Sequence, residues 1–513
     1  MTSRECVTAL ALGCALVLMP TRRDVIVLDN GGSTIKVGFA GDAEPMFVVP
    51  NCIAKPKGEK RSYICDEIAG IKDVSCLTLR RPVDRGYVVN WDLQTEIWAH
   101  VFGTLMKIDP TKCHLLVTEP HFNLPSCAAA QDEVVFKHFG FKSALTSVPA
   151  SLVMAERLGR LTDDDDAEKK NLADDASGKN KNSAATSSEQ FELNKVVAAA
   201  RCGVVVDVGF SFAHCTPVFD GRVVRGAVRR VNLGGKALTN YLKELVSYRQ
   251  WNMMDEYFLV DDVKEKLCYV AVDSDDFEVN LARARGKKNA PNEISKEYVL
   301  PDGVHVIRGY VKGGVAKNPG DGDDDDEDSD DDPDEGETGG KRRKKTSSKT
   351  SKKKPGNSET PQKGNHQTLQ MGNERFSVPE ALFHPNDLGL KQGGIAEATK
   401  EAVESVKRDA KLGGLFYANI VLCGGCCLFP GFAERFVNEL RPMVNGEDVL
   451  HVTGGDDSIG SDDPVSFAWR GGSRVGAGDE FARLALTRDE YLEDPGAILA
   501  KLEMHAPVVK GRM

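Results

Sequence analysis

Three short turns carry the residues best suited to chemistry. The first, Asp29-Asn30-Gly31-Gly32-Ser33-Thr34, follows an apolar run that starts at Val25. The second, Asp207-Val208-Gly209-Phe210-Ser211, follows Val204-Val205-Val206. An aspartate ending an apolar strand, with glycine next to it, suits a metal-bound phosphate. Mg²⁺ keeps several waters and takes one or two carboxylates, and glycine lets backbone N–H groups come close to phosphate oxygens. Asp29 and Asp207 are therefore the candidate Mg²⁺ residues. Gly31 and Gly209 would lie at the phosphates, Ser211 would close from the second side, and Lys36 is within reach as a point charge. The third turn, Gly424-Gly425-Cys426-Cys427-Leu428-Phe429, offers backbone and an apolar side chain to a nucleoside. A glycine after a strand is more often only a turn, but three such turns in series make a nucleotide cleft the expectation. Phe210 is the discordant residue, standing where a hydrolytic site needs something polar.

The elements that must hold these turns follow from periodicity. Apolar strands ending in glycine-rich turns alternate with helical patterns such as LTNYLKELVSYR and GIAEATKEAVESVKRDA, whose apolar residues recur three and four apart. That alternation implies an α/β fold. The form strand-Asp-x-Gly-x-Ser occurs at both Asp29 and Asp207, which predicts two similar halves facing across the cleft.

The chain has 513 residues, enough for a large core and more than one domain. Two stretches are too polar to offset their ordering entropy and are expected to be unfolded insertions: 163–190 and 313–367. Residues 321–363 of the second hold fourteen acidic and ten basic side chains, so −7 of the net charge of −11 lies on the rest. That mildly acidic balance argues against a large nucleic-acid-binding surface. The basic block 341–345 (KRRKK) resembles a nuclear-import signal; the alternative is a solvated linker. Thirteen scattered cysteines fit a reducing compartment better than a disulfide framework. The cluster Cys423, Cys426, Cys427 lacks a second ligand pair at zinc spacing, and structural zinc takes four ligands. The apolar run 6–19 is too short to span a bilayer, so residues 1–23 are expected to be an N-terminal extension of uncertain status ahead of a fold covering 24–513.

The motifs LDNGGSTIKVGFAGD, KEKLCYVA, YVLPDG, NERFSVPEALFHP, NIVLCGGCCLFPGF and WRGGS resemble the actin superfamily over almost the whole chain from Val25. VNWDLQ, SFAHCTP and VNLGGKALTN resemble its sixth class of actin-related proteins more closely. The resemblance implies an actin-like ATPase-domain fold of two α/β halves around a nucleotide cleft, with ATP and Mg²⁺ as cofactors. It implies a nuclear protein, with cytoplasm as a second location. It further implies a scaffold subunit of a SWR/SRCAP-type chromatin-remodelling complex that deposits a Z-type histone variant. The implied partners are the motor ATPase and a zinc-finger HIT subunit, with histones as further contacts, and neither sequence-specific nucleic acid nor membrane. Asp29, Gly31, Lys36, Asp207 and Gly209 fall on the family's phosphate and Mg²⁺ positions. Lys264 and Glu265 fall on its adenosine-contacting pair, and Gly424, Gly425 and Phe429 on its third nucleotide loop. His214 matches a histidine near the attacking water; the alternative is a buried histidine bonded to backbone.

The departures bear on activity. Gly32 replaces a serine, Phe210 replaces an aspartate, and residues 146–154 (TSVPASLVM) contain no counterpart to the water-positioning glutamine. Water attack on a γ-phosphate needs a group that orients the water, so the expectation is ATP binding with little turnover and no catalytic residue. Residues 50–85 contain no match to actin's inter-subunit loop, which with the long insertions predicts a chain that does not polymerise. The competing readings are an active ATPase or phosphotransferase of the superfamily, which turnover would reveal, and a filament-forming actin, which sedimentation would reveal.

Overall fold

A computed structural model describes residues 24–175, 195–285, 294–313, 366–406, 410–455 and 463–495. Two mixed sheets form its centre. The first contains β1 (Val25–Asn30), β2 (Thr34–Phe39), β3 (Phe47–Pro50), β4 (His114–Thr118) and β5 (Ser143–Ser147). Their order is β5-β4-β1-β2-β3, with the short strand Leu486–Thr487 beyond β5. The second contains β6 (Gly203–Val208), β7 (Ala213–Phe219), β8 (Ile420–Cys423) and β9 (Val452–Gly454), in the order β7-β6-β8-β9. Each sheet has an antiparallel hairpin (β1/β2, β6/β7) whose first strand pairs in parallel with a later strand (β4, β8). The two halves expected from the repeated turn are therefore present, and in each the candidate aspartate is the next-to-last residue of the first strand of the hairpin.

The unbroken valine run of β6 has a packing reason. Val204, Val205 and Val206 are all fully buried. Val204 and Val206 belong to one core and Val205 to another on the opposite face, as a strand covered on both faces requires. Helices α1 (Trp91–His100), α2 (Pro149–Asp175), α3 (Gly235–Arg249), α4 (Tyr257–Leu267), α5 (Ile395–Val406), α6 (Phe432–Leu440) and α7 (Phe467–Gly476) supply the covering layers.

The WRGGS motif lies on α7, where that helix crosses α2 and β1. Trp469 Nε1 donates to Val27 O at 3.1 Å. A Cβ on Gly471 would lie 1.8 Å from Leu152 O, so only glycine permits the crossing. Asn90 starts α1 by accepting from Leu93 N at 2.9 Å, a conventional asparagine cap.

Two expectations change at the insertions. The stretch 163–190 was expected to be unfolded, yet α2 continues through Asp175. Its alanine, glutamate and lysine residues are good helix formers, and extending a helix already nucleated by buried turns costs little. The remainder of that stretch lies outside the described residues, as do 341–345 and 6–19. The second insertion is shorter than 313–367, because Gln367 O accepts from Leu300 N at 2.9 Å. Among the described residues no helix is long and apolar enough to cross a membrane.

Candidate functional site: the cleft between the two sheets

Asp29 and Lys36 face each other across the β1/β2 hairpin. Both are nearly buried, and Lys36 Nζ lies 3.4 Å from Asp29 Oδ2. Asp29 Oδ1 also accepts from Thr118 Oγ1 at 2.9 Å. The turn that follows is anchored from beneath. Asn51 Nδ2 donates to Gly31 O at 2.9 Å, Trp98 Nε1 donates to Asn30 Oδ1 at 3.1 Å, and Asn30 N donates to Thr118 Oγ1 at 2.9 Å. Gln94, fully buried, accepts from the side chains of Asn30 (3.3 Å) and Asn51 (3.4 Å). It also donates to Asn51 Oδ1 at 3.2 Å. Gln94→Leu should strand these amides and cost about 1–3 kcal/mol. Chemical denaturation would check this, and a variant as stable as the parent would contradict the anchoring.

The second turn is closed by Gly209 N donating to Phe212 O at 3.1 Å. The start of α3 rests on it: Gly235 N donates to Gly209 O and Lys236 N to Phe210 O. Asp207 is partly exposed on the cleft wall. Burial pushes its carboxyl up to about 7, Asp29 adding to the rise and Lys36 opposing it. Asp29 and Lys36 are thus both close enough to act on the Asp207 carboxyl. Gly424, at φ +92°, brings the third turn against this one: a Cβ there would lie 2.6 Å from Val208 O and 2.8 Å from Asp207 Oδ1. A Cβ on Gly425 would meet nothing within 4 Å, so that backbone is open to a ligand.

The raised Asp207 carboxyl has a pH consequence whose sign follows from linkage. Between its ordinary 3.8 and about 7 the ligand-free fold holds one proton more than the unfolded chain. Its contribution to stability is therefore complete below 3.8 and lost as pH rises through about 7. Were Mg-nucleotide to bind through this carboxylate, binding at pH 7 would expel about half a proton per chain. Calorimetry in buffers of different ionisation enthalpy measures this, and no buffer dependence would contradict it.

The nucleoside end differs from expectation. Lys264 is buried, and its ammonium donates inward to Asp261 Oδ1 (2.5 Å), Thr239 Oγ1 (2.9 Å) and Gly235 O (3.4 Å). Burial pulls this ammonium down, but Asp261 more than offsets it and the group ends above its usual range. Glu265 beside it is exposed. Phe429 is turned into the core of the second half and only 4% exposed. Among the third-loop positions it is thus the Gly424-Gly425 backbone that the cleft receives. The cysteines serve backbone contacts: Cys426 Sγ donates to Gly209 O (3.6 Å) and Cys427 Sγ to Cys423 O (3.1 Å). No metal-binding group of three or more His, Cys, Asp or Glu exists among the described residues.

His214 Nε2 is buried without a hydrogen-bond partner among the described residues. Its ring centre lies 5.1 Å from that of His121, whose Nε2 is 3.1 Å from Thr216 Oγ1. Burial pushes His214 down to about 3 and His121 to about 4, so both are neutral. The alternative of a histidine bonded to backbone is not met at Nε2 among the described residues. Residues 146–154 run from the end of β5 into α2 and bring no acid or amide.

Sequence reasoning missed Thr118, Asn51, Gln94, His121, Arg81 and Tyr257. Gln94 lay within the quoted VNWDLQ motif, but none of the six falls in a nucleotide turn. Arg81 is the most consequential: its guanidinium lies 4.7 Å over the Phe210 ring, while Nη1 donates to Ser33 O at 3.3 Å.

Comparison with known proteins agrees with this architecture. A model of the actin family matches residues 21–502. The rice (Oryza sativa subsp. indica) protein named actin-related protein 6 is 38% identical over 470 residues, covering 91% of this chain and 96% of its own. Its namesake in Arabidopsis thaliana is 37% identical over 477 residues, covering 92% and 97%. That of Drosophila melanogaster is 33% identical over 475 residues, covering 91% and 97%.

Proposed function

The chain belongs to the actin family, among the actin-related proteins of the sixth class, and from that premise we propose that it is a nucleotide-binding scaffold rather than a turning-over ATPase. The facing pair Asp29 and Asp207 carries this reading. Members of the family usually bind nucleotide with Mg²⁺, and these residues fit that group. Two carboxylates suit a cation, and the open Gly425 backbone suits phosphate oxygens. Asp29 and Asp207 would hold Mg²⁺ through water, while the Gly31 and Gly209 turns would cradle phosphates. Bound Mg-ATP would supply charge that ties the two turns together. Phe210, at the position where the second turn would meet the terminal phosphate, has no polar atom to orient a water.

The proposed setting is a nuclear chromatin-remodelling complex of the SWR/SRCAP type that deposits a Z-type histone variant. There the chain would not polymerise and would contact the motor ATPase and a zinc-finger HIT subunit. The charged insertion, with KRRKK at 341–345, supports nuclear import and histone contact, since long charge runs serve as interaction tails. Affinity purification from nuclear extract tests the setting. Recovery of no remodelling subunits would refute it.

One observation favours the hydrolytic reading: His214 Nε2 is unbonded among the described residues, with the His121 ring centre 5.1 Å from its own. Steady-state turnover separates the two. The scaffold reading expects a rate far below the roughly 1–1000 per second of ordinary enzymes, and a rate within that range that Asp207→Ala abolishes would overturn it.

A further inference from the structure

The two nucleotide turns touch. A methyl group on Gly32 would lie 3.2 Å from Ser211 Oγ and 3.3 Å from the Phe210 ring. The contact is reinforced by one side chain of the first half. Arg81 donates from Nη1 to Gly32 O (3.5 Å) and Ser33 O (3.3 Å), both in the first turn. Its guanidinium also lies 4.7 Å over the Phe210 ring of the second turn and 5.8 Å from the Tyr257 ring at the start of α4. Further contacts close the same mouth. Lys236 Nζ is 3.1 Å from Asp84 Oδ1, Arg230 Nη1 donates to Tyr87 OH at 3.4 Å, and Arg230 lies 4.7 Å over Phe212. The Lys236–Asp84 pair is exposed and contributes little. The Arg81 stack is partly enclosed and makes planar contact on two sides.

We propose that Arg81 is a latch that holds the cleft closed in the absence of nucleotide and sets how fast a bound nucleotide leaves. The second clause rests on the nucleotide-binding reading; the first does not. A cleft closed by its ligand relies on phosphate charge to join the turns. Here Phe210 presents a ring face, which attracts a guanidinium through its quadrupole, and Arg81 bridges that face to the carbonyls of the opposite turn. Arginine suits this task because its planar group stacks and donates at once, whereas a lysine is a point charge. One residue type at position 210 therefore has two effects: it removes a polar group from the cleft and supplies a protein-made closure.

The test uses the full-length protein stripped of nucleotide with EDTA. Hydrogen exchange is followed by mass spectrometry in peptides covering 29–36 and 207–214, because exchange reports local opening. Arg81→Ala and Phe210→Ala should each speed exchange in both peptides on the order of tenfold, as expected from losing one desolvated cation–π contact. Arg81→Lys should fall between, and the double variant should be no faster than either single one, since both remove the same contact. Exchange in a peptide across β5, which β4 separates from β1, should not change, which separates opening from misfolding. Release of a fluorescent ADP analogue should also quicken about tenfold in both single variants. Unchanged exchange in the variants, or additive effects in the double, would overturn the latch. If the analogue fails to bind, the nucleotide reading fails while exchange still decides closure. If exchange quickens but release does not, control of release is wrong and closure stands.

Discussion

Replacing Arg435 with methionine is expected to destabilise the protein by about 3–5 kcal/mol, the cost of leaving one member of a buried ion pair alone. Arg435 is fully buried in α6, the helix that follows the third nucleotide turn. Its guanidinium donates to Glu380 Oε1 (2.6 Å), Glu380 Oε2 (3.2 Å), Glu439 Oε1 (2.8 Å) and Ala271 O (2.9 Å). The single substitution leaves Glu380 buried without its bidentate partner, retaining only His384 Nδ1 at 2.8 Å. Converting Glu380 to leucine as well should recover much of the loss, because an apolar pair of similar volume is often neutral. Chemical denaturation of the two variants measures both. A single variant within 1 kcal/mol of the parent would mean that the pair does not pin α6, in disagreement with its bidentate geometry.

Asp207→Ala should abolish stabilisation by Mg-ATP. A ligand that binds only the folded chain adds about 2.7 kcal/mol at a hundred times its Kd, and Asp207 is one of the two carboxylates proposed to hold the cation. The same substitution should not weaken the ligand-free protein at pH 8. There the parent must keep a carboxylate beside Asp29 in an enclosed site, which its rise to about 7 marks as unfavourable. The expected pattern is thus an unchanged ligand-free melting point with no response to nucleotide. A variant that still responds as the parent does would remove Asp207 from the site.

The parts of this structure that were legible in the sequence are those written in local pattern. The repeated strand-Asp-x-Gly-x-Ser form predicted two similar halves, and each aspartate lies next to the end of the first strand of its hairpin. The glycines of WRGGS lie where α7 crosses α2 and β1. What stayed hidden depends on contacts between distant segments. Lys264 matched an adenosine position, but Thr239 and Asp261 draw its ammonium inward. Phe429 belonged to the right loop, and core packing leaves it only 4% exposed. Arg81 had no motif at all; its meaning comes from Phe210, which local reading could mark only as a missing polar group. The charged stretch beyond Asp163 was read from composition as unfolded, whereas helix continuation from the buried start of α2 carries it to Asp175.

The central claim is that the cleft holds a nucleotide without consuming it. The most direct measurement loads the full-length protein with Mg-ATP, incubates it for hours, removes free nucleotide, denatures the protein and identifies what was bound. The account predicts close to one intact ATP per chain, and none on Asp207→Ala. Stoichiometric ADP with released phosphate, or no bound nucleotide on the parent, would contradict it.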